Sequence, residues 1–154
     1  MNDNFELARQ FKEVYLEGKW VVSTNLKAEL SEVNWQQATT KIGTLNTIAA
    51  LAFHLSYYVA GVKEFLEGGE LTIRDKYSFD FAPIQSENDW QRLLSKMWKD
   101  ANEFVTAVEA LPAEKLNEVF VKEEYGTYAR NIHAIIEHSY YHLGQIVLLK
   151  KLLK

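Results

Sequence analysis

The chain has 154 residues, 47% hydrophobic and 25% charged, a balance that buries one core of ordinary density and predicts a single domain over 1–154. A net charge of −4 leaves no basic footprint for nucleic acid. With no signal-peptide pattern and no apolar run of about 18 residues, no membrane partner is expected and the cytoplasm is the expected compartment. The absence of cysteine excludes disulfides, thiolate metal sites and a cysteine nucleophile, which leaves imidazole and carboxylate as the strong metal ligands.

Phe5, Ala8, Phe11 and Tyr15 recur at helical spacing up to Gly18, which predicts a first helix with a glycine stop. Between Lys19 and Gly43 the signal is mixed. Leu26, Leu30 and Val33 suggest a short helical piece, and Thr39, Thr40 and Gly43 a loop. A second long helix is expected from about Leu45 to Glu67, with Thr44 as its N-cap and Gly68-Gly69 at its end. Its first half, I-A-A-L-A-F, is apolar nearly all round and should be deeply buried.

Gly69 to Gln85 carries Tyr77, Phe79, Phe81 and Pro83 with no helical period. A connection this long is unusual in a compact domain. Extended, it reaches roughly 50 Å, enough to run the length of a helix bundle and leave the flanking helices parallel. Ser86 opens a third long helix with a capping-box-like S-E-N-D, and Trp90, Leu94, Met97, Trp98, Ala101, Phe104, Val105 and Val108 form its core stripe up to Pro112. Gly126-Thr127 opens a last helix of about 27 residues, roughly 40 Å long. The lysines near its end, Lys150, Lys151 and Lys154, suit a solvated helix C-terminus. The expected fold is all-α, a four-helix bundle with a long crossover between the second and third long helices.

The inward stripe of the last helix reads Ile135, His138, His142, Gln145/Ile146, Leu149, Leu152/Leu153, so two imidazoles stand where leucine is expected. Their spacing of four puts them about 40° apart and one turn apart, within reach of a single ion. In the second long helix the stripe Leu51, His54, Tyr58, Val62, Phe65 again replaces one core residue with histidine. Other metal and nucleophile motifs fail: Ile135 and Ser139 stand where a Glu-x-x-His di-iron motif needs acids, Ser139 breaks His-Glu-x-x-His, and no glycine-rich phosphate loop is present. His133 and Glu137 lie off the inward stripe. What survives is a three-histidine metal site, His54, His138 and His142, with a position left for water or substrate. Tyr58, Tyr141 and Gln145 are the candidates to orient substrate or hydrogen-bond the site.

The stretch H-S-Y-Y-H-L-G-Q-I, together with a histidine in the N-T-I-A-A-L-A-F-H run, resembles the DinB/YfiT-like superfamily, whose late signature has the form His-x-x-x-His-x-Gly-Gln-Ile. Tyr141 and Leu143 depart from the pattern, where the family often has His and Arg. The resemblance implies a bundle in up-down-down-up order, with a divalent metal on His54, His138 and His142. It also implies thiol-dependent transferase or isomerase chemistry on a low-molecular-weight thiol. Zinc or nickel is the expected ion, ahead of iron or manganese. The alternative is a non-catalytic metal-binding or protein-interaction bundle, a homodimer formed through an exposed apolar helix face.

Overall fold

In the computed structural model, which describes residues 3–154, the chain is all-helical, with no strand among the described residues. Six α-helices follow one another: α1 (Asn4–Lys12), extended by a wider π-turn over Glu13–Glu17, α2 (Leu26–Ser31), α3 (Trp35–Thr39), α4 (Ile48–Leu66), α5 (Glu87–Glu109) and α6 (Tyr128–Leu152). No helix of the described residues is long and apolar enough to cross a membrane.

Polar groups set the helix starts. Asp3, Asn25, Thr47, Ser86 and Thr127 each accept a backbone N–H of the first turn, and Asn34 closes a reciprocal capping box with Gln37. That box makes Trp35–Thr39 helical where the sequence suggests a loop for its last residue. The cap of α4 is Thr47 rather than Thr44: Thr47 Oγ1 accepts from Ala50 N at 3.1 Å, while a turn closed by Leu45 N on Ile42 O occupies the residues before it. In α1 the expected inward Phe5 is 62% exposed. Its neighbour Asn4 turns inward instead, where Nδ2 donates to the Glu109 and Leu111 carbonyls at 2.8 and 3.1 Å and satisfies groups that the end of α5 leaves open.

Contacts give the helix directions. Asn4 sits at the end of α5, Phe11 meets Phe104 at a tilt, and Tyr15 meets Trp98, so α1 and α5 run antiparallel. Along α4 and α5 the contacts advance together: Tyr57 lies by Leu93 and Lys96, Lys63 bonds Asp100 and Glu103, and Leu66 lies by Thr106. These two helices run the same way, and the Gly69–Gln85 connection returns the chain to the starting end. Gly61 lets it pass, since a Cβ there would lie 2.0 Å from Ile73 Cγ2. Against α4, α6 runs backwards, with His54 near His142 and Phe65 near Tyr128.

The core joins Phe11, Tyr15, Leu55, Trp90, Met97, Phe104, Ile132 and Ile146, all fully buried, and the aromatic stripe of α5 packs into it. Trp90 Nε1 donates to the buried Val33 carbonyl at 2.8 Å, fixing α5 against the α2–α3 junction. Lys150 is not a solvated helix end: it pairs with Glu29 at 2.6 Å and Glu32 at 2.9 Å, tying α6 to α2. Leu152, expected inward, is 55% exposed, so the stripe of α6 closes with Leu149 and the partly buried Leu153.

Candidate metal centre

The antiparallel seam of α4 and α6 brings three imidazoles together. His54 and His142 are buried and His138 is half-buried, and one ligand nitrogen from each lies within 4.8 Å of the other two. His138 Nε2 stands 3.0 Å from His54 Nε2 and 3.0 Å from His142 Nε2. No carboxylate belongs to the group, among the described residues. His133 is partly exposed and outside it, and Glu137 turns to solvent, where Arg130 meets it.

Neighbours orient the rings. His142 Nδ1 donates to Gln145 Oε1 at 2.7 Å, which puts the proton of neutral His142 on Nδ1 and leaves its Nε2 lone pair facing the other rings. The ring of Phe79 stacks on His54, with centroids 4.2 Å apart and planes 8° from parallel. Tyr58 meets His54 and His138 edge-on, and its hydroxyl donates to Asp75 Oδ1 at 2.6 Å. Tyr141 is 65% exposed, its ring at a steep angle to that of His142 with centroids 4.9 Å apart.

This arrangement lies within a stretch, residues 10–154, that matches the family model described as "Protein of unknown function (DUF1572)". The chain belongs to the DUF1572 family. Comparison with curated proteins and with solved structures finds no match.

All three histidines of this DUF1572 chain are held in the neutral form. Burial pushes His138 down to about 4, with the charges of His142 and His54 adding to it. Burial likewise lowers His54, assisted by His142 and opposed by the Ser78 backbone and Asp75. His142 is lowered by burial and partly restored by Gln145. Neutral imidazole is the form that binds metal.

A divalent ion fits this set of donors. Nitrogens about 2.1 Å from a common ion, at angles of roughly 90–110°, lie about 3.0–3.4 Å from each other, which the two 3.0 Å contacts approach. Without a cation the cluster is poorly satisfied. His142 Nε2 offers only a lone pair, and His138 Nε2, which carries at most one proton, faces both it and His54 Nε2 at 3.0 Å, so the two contacts cannot both be good hydrogen bonds. One ion accepting three lone pairs removes the conflict.

The connection supplies residues that sequence reading passed over. Asp75, Ser78 and Phe79 all reach the site from a stretch without helical period. The alternating aromatics were the available signal: Phe79, itself 43% exposed, stacks on His54, and Phe81 stacks on Phe53.

Proposed function

We propose that this chain is a divalent-metal-dependent enzyme of the DinB/YfiT-like kind, its long helices α1, α4, α5 and α6 forming one up-down-down-up four-helix bundle over 1–154. The observation that carries the reading is the convergence of three neutral imidazole nitrogens beside an open cleft. His54, His138 and His142 would hold zinc or nickel, ahead of iron or manganese. Such an ion, when bound, acts as a Lewis acid that makes a coordinated thiol or water acidic near neutral pH.

The rest of the chemistry belongs to the chain's own side chains. Gln145 keeps the proton on His142 Nδ1, Phe79 covers one face of His54, and Tyr58 stands at the border between the histidines and the cleft. Three protein ligands are the pattern of a reactive site rather than a closed structural one. The proposed cosubstrate is a low-molecular-weight thiol, and the proposed reaction is S-transfer or isomerisation.

Elemental analysis of the purified chain should find about one zinc or nickel per molecule. Titrating a cobalt-substituted form with small thiols should then change its visible absorption and release protons. A chain that takes up neither ion defeats the metal reading. A loaded chain whose spectrum ignores every thiol favours the non-catalytic metal-binding bundle.

A further inference from the structure

The cleft that meets His138 has a volume of about 490 Å³, the size of a small-molecule site. Val62, Ile73 and Ile135 give it aliphatic walls, and Tyr58, Phe120 and Tyr125 give it aromatic ones. Its one acidic group is Asp75, and neither lysine nor arginine lines it. Lys122 lies against Tyr125, 4.6 Å from the ring centre, without lining the cleft.

Asp75 is held in place for a ligand. Tyr58 donates to its Oδ1 at 2.6 Å, and the Ser78 hydroxyl donates to its backbone carbonyl at 2.8 Å, so the residue is fixed at both ends. The ion pairs among the described residues leave this carboxylate out. An unpaired carboxylate beside aromatic rings suits a cation: the charge meets Asp75 Oδ2, and the ring faces add an attraction that a neutral group lacks. A ligand anion would meet like charge and find no cation along the lining.

We propose that this cleft binds a small molecule with an apolar body and one protonated amine, the amine on Asp75 and the body along the aliphatic and aromatic walls. Amine recognition rests on the cleft alone. Its relevance to reaction rests on the metal reading above, because Asp75 and His138 line the same cleft.

Calorimetric titration of the full chain with three matched probes tests this, using 2-phenylethylamine, 2-phenylethanol and 3-phenylpropanoate, before and after metal removal. The amine should bind at least about tenfold more tightly than the alcohol, and the carboxylate most weakly. Asp75→Asn should bring the amine to the level of the alcohol with metal content unchanged. Tyr58→Phe keeps the ring but frees the carboxylate, and should reduce the amine preference by about threefold; it also serves if Asp75→Asn does not fold. Equal binding of amine and carboxylate, an amine preference left undiminished by either substitution, or no binding of any probe overturns the proposal. A chain that takes up neither zinc nor nickel and still prefers the amine refutes the metal reading alone. A metal-loaded chain without the preference refutes this proposal alone.

Discussion

Helix α4 carries two polar clusters, one at Lys63 and one at His54, and only the first is closed. Lys63 pairs with Asp100 at 3.2 Å and Glu103 at 2.7 Å, Lys96 also reaches Asp100, and Lys99 reaches Glu103 at 2.7 Å. Each acid has two cations and each cation an acid, so the cluster is complete as it stands. Hydrogen bonds from Lys63 and then Lys99 hold Glu103 down to about 2. Around His54 there are three bases and no acid within the group. The difference separates a cluster that joins α4 to α5 from one whose partner has to come from outside.

The largest test of that contrast is His138→Ala, which should weaken zinc or nickel binding by about 100-fold or more in a chelator competition, whereas Lys63→Met should leave metal content unchanged. Equal losses in both would place the ion elsewhere.

Acid should open the two clusters in separate windows. The folded histidines have lowered pKa values, so below pH 6.5 the unfolded chain binds more protons and stability falls as pH drops toward about 4. Bound metal deepens that loss, because protons compete for its ligands. Glu103 is lowered to about 2 from 4.5, so its share is present above pH 4.5 and lost between there and about 2. Urea unfolding across pH should show both steps, the upper one shrinking in His138→Gln.

Asp100→Ala removes a buried anion from between two lysines and should cost about 2 kcal/mol in the same assay at pH 7, with metal binding retained. Gln145→Leu takes away the acceptor for His142 Nδ1 and should weaken metal binding about tenfold while leaving stability without metal near that of the parent. The smallest effect has the opposite sign. Tyr15 is fully buried with an unpartnered hydroxyl, and burial, together with the nearby Asp100, raises its pKa. Tyr15→Phe should therefore stabilise the chain by about 1 kcal/mol in urea unfolding.

Much of this was legible because it is local. The turn between His138 and His142, the further step to Gln145 and the caps Ser86 and Thr127 follow from helical period and short-range hydrogen bonding, which the order of residues determines directly. The capping box of Asn34 and Gln37 was equally local and was missed, because a short helix without an apolar stripe has little besides its cap to mark it. Thr44 and Thr47 both precede the apolar run, and the turn before α4 decides between them.

The sequence by itself determined that the chain is helical, that α4 and α6 each turn histidine inward, and that the α4–α5 connection is long enough for parallel neighbours. Only the tertiary structure decided that His54 meets His138 and His142 in one group, because that depends on how far α6 slides along α4 as well as on which faces touch. It also decided that Phe79 covers His54 and that Asp75 enters the cleft. Those residues lie in a segment without helical period, so their positions come from the packing of the connection over α4, where Gly61 leaves room for Ile73.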